Sequence, residues 1–379
     1  MDKVCRIISK SRRLYALWRR SLTAAPPKPL HSSTRPRGPN WSCTTVLVSD
    51  YRCAIDVDLV QSSYMALSNL CPNLERLSLH LCGQISTDTL IAWAESLTKL
   101  RHIELVAPFL VRKQGWIEFF RLRRLKSLLV TQSPRIDLEV VEALVQYCPD
   151  ITDLRLSQIG QMSDVLLQPL AALSRLTSLN LSSPGSPLSD RAVAELLETA
   201  GSNLVHLDLS GTELSDDVLP AIAKHCIVLR SLSLRHLGDL SDDAVGRMFN
   251  TMGNLERVDL EKCHQLREKA LNALIDHSKS AIESIKIPGW KDVPAEALGR
   301  MAECKVLKEV DMGWCRQVTD YTVKEILDGC EQLEVLRVWG EFTDALPTEQ
   351  SDRIGCNQLT DAVPRKRGVK VIGIETHAI

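Results

Sequence analysis

Long apolar runs are missing from this chain. No uncharged apolar stretch approaches the roughly 18 residues of a membrane-spanning helix, so no span is expected. Metal-ligand spacing is missing too. No CxxC pair and no HExxH motif occurs, so the twelve cysteines do not spell a zinc site. Nor is there an excess of charge of one sign, since the whole chain sums to −1. That balance hides an asymmetry. Residues 1–49 hold ten Lys or Arg against one acid, Asp2, which leaves 36 basic and 46 acidic residues over 50–379. The larger part is therefore acidic, and its bulk charge gives no support for tight nucleic-acid binding, which needs cations against phosphates.

What the chain has is an internal repeat. A leucine-type residue recurs at Leu74, Leu100, Leu125, Ile151, Leu176, Leu204, Leu229, Leu255, Ile282, Leu307 and Leu333, at spacings of 25 to 28. Each opens a version of LxxLxL, then a short polar turn, then an apolar stretch with helical spacing. This period and pattern belong to leucine-rich repeats. The expected fold is α/β: a right-handed leucine-rich-repeat solenoid, a horseshoe of about eleven repeats, with a parallel sheet on the concave side and helices on the convex side.

One repeat shows the logic. Leu74, Leu77 and Leu79 point inward, the last two because alternate strand residues share a face. Ser86 then precedes Thr87-Asp88 and the series Leu90, Ile91, Trp93, Ala94, Leu97. A hydroxyl with an acid behind it reads as a helix cap beside the positive end of the dipole. The same start recurs at Ser163-Asp164, Ser189-Asp190, Ser215-Asp216, Ser241-Asp242 and Thr319-Asp320. Kinase sites are the alternative reading of these pairs. Eight cysteines also fall into register: Cys71, Cys148, Cys226, Cys304 and Cys330 three residues before a repeat start, and Cys82, Cys263 and Cys315 eight after one. Small apolar thiols packed inside a solenoid explain them, and unpaired thiols suit a reducing compartment.

Outward strand positions would line the concave face. The central column reads Ser78, Glu104, Leu129, Arg155, Asn180, Asp208, Ser233, Asp259, Lys286, Asp311, Arg337. Beside it stand Arg76, His80, His102, His206, Arg235, Arg257, Glu261, Glu309 and Trp339. This mixed surface suits a protein partner, with Arg155, Asp208, Arg235, Arg257, Asp259, Asp311, Arg337 and Trp339 as candidate contacts; many of these positions would be merely solvated. The basic, aromatic-rich stretch is Arg112, Lys113, Trp116, Phe119, Phe120, Arg121, Arg123, Arg124, Lys126. Its cations, Arg112, Lys113, Arg121, Arg123 and Arg124, are candidate DNA contacts, since such residues hold a backbone while aromatics stack on bases. The competing reading buries Trp116, Ile117 and Phe120 on one helix side. Arg365, Lys366 and Arg367 form a second basic cluster, a solvated loop or part of a nuclear import signal.

The pattern breaks twice. After Leu333, Leu336 and Val338, residues 341–355 stand out of register, and removing them restores Cys356, Leu359 and Thr360-Asp361 to their offsets. They read as a loop insertion arising from splicing or from the gene model. At the other end, 1–20 reads as a short helical segment and 21–50 as a disordered basic linker, with the solenoid over 51–379. A basic, acid-poor start also fits a mitochondrial transit peptide.

Four segments carry a resemblance: MDKVCRIISKSRRL at the start, CPNLERLSLHLCGQIS at 71–86, APFLVRKQGWIEFF at 107–120, and the ending VWG, CNQLTD and GVKVIG. Together they resemble the fungal leucine-rich-repeat subunit of the global-genome nucleotide excision repair complex, related to the F-box and cysteine-containing leucine-rich-repeat group. In that family the opening segment lies inside a longer chain, so an upstream part is expected to be absent here. The resemblance implies a nuclear, non-catalytic subunit without cofactors. Its implied partners are a Swi/Snf-type RING ATPase, and elongin C with a cullin in a ubiquitin ligase, with damaged DNA reached through the complex. A thioester-forming ligase would need an activated cysteine on a separate catalytic domain, and none follows the repeats. The runner-up is an F-box-type receptor unrelated to repair.

Overall fold

The computed structural model describes residues 71–338 apart from 81, 123 and 161, together with 5–6, 45–48, 64–65, 67, 359, 366 and 368–372. The chain forms two compact units, Met1–Arg175 and Leu176–Ile379. The repeat runs through both.

In the first unit six strands pair in parallel and in chain order: β1 Cys5–Arg6, β2 Thr45–Val48, β3 Arg76–Leu79, β4 His102–Val106, β5 Ser127–Thr131 and β6 Asp153–Ser157. Four helices alternate with them from β3 onward: α1 Thr87–Ser96, α2 Lys113–Phe120, α3 Leu138–Tyr147 and α4 Asp164–Leu170. β1 and β2 are the described parts of the stretches read as a helical segment and a linker. The rest of both lies outside the described residues, as does the insertion at 341–355.

The second unit continues the same alternation with eight parallel strands. These are β7 Ser178–Asn180, β8 His206–Asp208, β9 Ser231–Ser233, β10 Arg257–Asp259, β11 Ser284–Lys286, β12 Glu309–Asp311, β13 Val335–Arg337 and β14 Lys370–Ile372. Between them lie α5 Asp190–Ala200, α6 Leu219–His225, α7 Asp242–Phe249, α8 Glu268–Ser278, α9 Ala295–Gly299 and α10 Asp320–Gly329. Strands of three residues have no stability alone; stacking makes the sheet and buries the core at once. All eleven repeat-opening residues are 5% exposed or less, and so are the inward strand residues such as Leu77, Leu79, Leu207 and Leu209.

The caps fall where the Ser/Thr-Asp pairs place them. Ser86, Ser189, Ser241 and Thr319 accept the backbone N–H three residues on, at 3.2 to 3.3 Å. Ser215 opens one 3-10 turn before α6, and Ser163 occupies its cap position without a side-chain cap bond. The acid behind three of these serines, Ser189, Ser215 and Ser241, does more than meet the dipole. Asp190 accepts from Ser215 N at 2.9 Å and from Ser215 Oγ at 3.0 Å, and Asp216 binds Ser241 in the same way. In the next repeat the cap position is Arg267, whose side chain supplies no cap bond. Asp242 takes over, accepting from Arg267 N, Lys269 N and Ala270 N at 2.8, 3.1 and 3.0 Å. The cap of α8 thus comes from the preceding repeat.

Each strand from β4 to β12 ends in a bend built on one left-handed residue, two beyond the last inward position. These are Ala107, Gln132, Gln158, Ser183, Gly211, His236, Lys262, Gly289 and Trp314, with φ between 49° and 86°. Only two are glycine, so most of these bends carry a steric cost of roughly 1–2 kcal/mol. Hydrogen bonding offsets it. Ala107, Gln132, Ser183, Gly211, His236, Lys262 and Gly289 each donate their N–H to a carbonyl of the next repeat at 2.7 to 3.1 Å. The sheet ladder therefore continues around the corner.

Candidate partner-binding surface

The ladder register puts the central column where the repeat places it. In the first unit Ser78, Glu104, Leu129 and Arg155 are successive rungs; in the second, Asn180, Asp208, Ser233, Asp259, Lys286, Asp311 and Arg337. Rungs lie about 4.8 Å apart, so neighbouring side chains interact directly.

The acids of the second unit have a local reason to be there. Asn180, Asp208, Asp259 and Asp311 each accept, through Oδ1, the backbone N–H two residues on, at 3.0 to 3.2 Å. This Asx turn closes the strand end, and Asn or Asp at that rung serves it equally. Burial pushes the Asp259 carboxyl up to about 6 and raises that of Asp311. The cations are largely matched within the face. Arg235 Nε stands 3.1 Å from Glu261 and 4.0 Å from Asp259. Glu309 receives Lys286 Nζ at 3.1 Å, Ser284 Oγ at 3.1 Å and the Arg337 guanidinium. Among the described residues Arg257 pairs only with Glu256, at 4.0 Å. Lys286 and Glu309 were placed on this face by the sequence but not among its candidate contacts, although they hold this network together. Their signal was opposite charges one repeat apart.

In the first unit Ser78 Oγ donates to Glu104 at 2.6 Å, and Ser127 Oγ to Asp153 at 3.0 Å. Arg155 differs from the other cations. Its Nε, like that of Arg235, is buried without a hydrogen bond, but its guanidinium, unlike that of Arg235, forms no ion pair among the described residues. Half-buried Leu129 is the adjoining rung. Trp339 lies outside the described residues.

The basic, aromatic-rich stretch separates into two parts. Trp116, Phe119 and Phe120 are at most 1% exposed, so none of the three offers a stacking platform. Phe119 belongs to the buried side, whereas Ile117, expected there, is half-buried. Of the cations, Lys113 pairs with Glu139, and Arg121 pairs with Glu118 at 2.8 Å and lies 6.0 Å from the Tyr147 ring centre. Arg124 donates to the Thr98 carbonyl at 3.3 Å. Arg112 keeps an exposed side chain. Arg123 lies outside the described residues. From the second basic cluster, Lys366 Nζ donates to the carbonyls of Leu327 and Cys330 at 2.7 and 3.1 Å, satisfying the end of α10.

The cysteines in repeat register form no disulfide with one another, and all but Cys71 are buried. Cys148, Cys263, Cys315 and Cys330 donate to a carbonyl of the preceding repeat at 3.1 to 3.3 Å. Burial pushes Cys82, Cys226, Cys263 and Cys304 up to about 12, so they stay protonated thiols at neutral pH.

No known family profile matches the sequence. A curated relative does: the DNA repair protein rhp7 of Schizosaccharomyces pombe, 31% identical over 364 residues, which are 94% of this chain and 61% of the relative. The chain is homologous to the fungal Rad7 and rhp7 DNA repair proteins. Saccharomyces cerevisiae RAD7 is 25% identical over 330 residues, covering 83% of this chain and 56% of that protein. The chain thus spans about six-tenths of the length of these relatives. In the yeast crystal structure of Rad7 with Elc1, one chain overlays with a TM-score of 0.69 at 22% identity, over 88% of this chain and 79% of that one. That likeness extends the leucine-rich-repeat fold across most of the chain.

Proposed function

We propose that the chain is a non-catalytic recognition subunit of a nuclear nucleotide excision repair complex. In this reading it holds a Swi/Snf-type RING ATPase and joins it, through elongin C and a cullin, to ubiquitination. Damaged DNA is reached through the complex. The observation that carries the reading is the alignment with rhp7 over 94% of the chain. The crystal structure of a relative with Elc1 supports the adaptor part. Protonated, buried thiols support a scaffold over a thioester ligase.

The sheet face is the proposed contact surface, with Arg155 as its leading residue in the first unit. The half-buried guanidinium of Arg155 has no ion pair among the described residues, and a partner carboxylate would supply one. In the second unit Asp208, Arg235, Arg257, Asp259, Asp311 and Arg337 would shape the surface.

Affinity purification of the tagged chain from its native cells, with mass spectrometry, tests the assignment. Recovery of a Swi/Snf-type RING ATPase with elongin C is expected, and Arg155→Glu is expected to reduce it. Recovery of Skp1 with another cullin would move the chain to the F-box-type receptors, and recovery of neither set rejects the repair reading.

A further inference from the structure

The block at 107–120 contains a feature that neither the repeat nor the proposed sheet-face surface uses. Between β4 and α2 the chain turns through the left-handed Ala107, and Phe109 and Leu110 then project, 50% and 52% exposed. These two are not loose. Val111 beyond them is fully buried, Arg112 N donates to Thr87 Oγ1 at 2.9 Å, and Phe109 lies close over Gly83. Two large apolar side chains are therefore held in water on a fixed backbone, the arrangement of a binding anchor rather than of a frayed loop.

Next to them an open groove of about 560 Å³ is lined by Arg112, Lys113, Pro134, Arg135 and Asp137. Lys113 is matched by Glu139, and Asp137 is tied to the start of α3 through Val140 N. Arg112 and Arg135 are exposed, and neither side chain has a hydrogen bond or ion pair among the described residues. Two free guanidiniums and two apolar anchors thus share one corner of the first unit.

We propose that this corner docks a segment of a partner protein in which acidic side chains alternate with apolar ones. The apolar residues would cover Phe109 and Leu110, and the carboxylates would pair with Arg112 and Arg135, a strong fork-shaped match. A nucleic-acid backbone fits less well. Its continuous phosphates would pass Asp137 and Glu139, and an aliphatic Leu110 gives a base nothing to stack on. The inference is independent of the repair assignment, because it rests on this corner alone.

The test selects phage-displayed random peptides on the full chain and measures synthetic, fluorescein-labelled copies of the enriched ones by anisotropy. Enrichment of peptides mixing Asp or Glu with aromatic or aliphatic residues is expected. Phe109→Ser/Leu110→Ser and Arg112→Glu/Arg135→Glu should each weaken binding by about tenfold or more while leaving the melting temperature unchanged, since all four side chains are exposed. Labelled single-stranded and duplex DNA serve as the second probe. The proposal fails if no peptide enriches, if enriched peptides lack acids, or if either double variant binds them as the parent does. DNA binding lost in the arginine variant but kept in the Phe109/Leu110 variant would make the corner a nucleic-acid site and overturn the proposal.

Discussion

Asp259 shows how one residue can work against stability while serving a turn. Its Oδ1 closes the bend, yet burial holds its pKa at about 6, above the ordinary carboxylate value. The folded state therefore binds the proton more tightly than the unfolded chain does. The cost is fully present above about pH 6 and fades as pH falls toward 4. Asn180 fills the equivalent rung of β7 with the same acceptor and no charge. Asp259→Asn should accordingly raise stability at pH 7 by roughly 1–2 kcal/mol, partly offset by loss of Arg235 and Lys286 as neighbours, and flatten the pH profile between 4 and 6. Urea unfolding at several pH values would show it; lower stability of the variant at pH 7 would mean that ion pairing outweighs burial. Gln132 offers a second case, exposed and left-handed at φ 57°. Gln132→Gly should gain about 0.5–1 kcal/mol and Gln132→Val should lose stability, with opposite shifts in melting temperature.

At the scale of the element, the acid at a helix start binds the next repeat. Asp242→Ala removes three acceptor contacts and leaves the start of α8 without a cap, since Arg267 supplies none. A loss of about 2–3 kcal/mol is expected. Asp190→Ala should cost about 1 kcal/mol, because Ser215 still caps through Asp217 N. Equal losses in thermal melts would refute the difference. This link was hidden in the sequence for a physical reason. Ser-Asp is a local motif whose nearest explanation is its own dipole, whereas the partner N–H sits 25 to 28 residues away and meets it only after stacking. Inward positions, caps and buried cysteines were legible because each repeats a pattern set by backbone geometry. The burial of Phe119 was equally available: 116, 119 and 120 are one face at helical spacing. What the sequence could not rank was which outward charges would satisfy each other, as Lys286, Glu309 and Arg337 do, and which would have no ion pair among the described residues, as with Arg155.

For the molecule as a whole, acidic charge over 50–379 and internal pairing of cations argue against strong intrinsic affinity for DNA. The isolated chain should bind a random duplex no more tightly than the ~10⁻⁴–10⁻⁶ M typical of non-specific contacts at physiological salt. Anisotropy titration at two salt concentrations would decide it; sub-micromolar binding with a steep salt slope would restore the basic stretch around Arg112 as a DNA contact.

The cap handed from one repeat to the next has a direction. Asp190, Asp216 and Asp242 are each made about one repeat before the N–H groups they receive. On the ribosome, where chains fold from the amino end, every acceptor in this run is in place when its donors emerge. A helix such as α8 then never waits in the exit vestibule for a later residue to secure its first turn, so growth of the stack can keep step with translation.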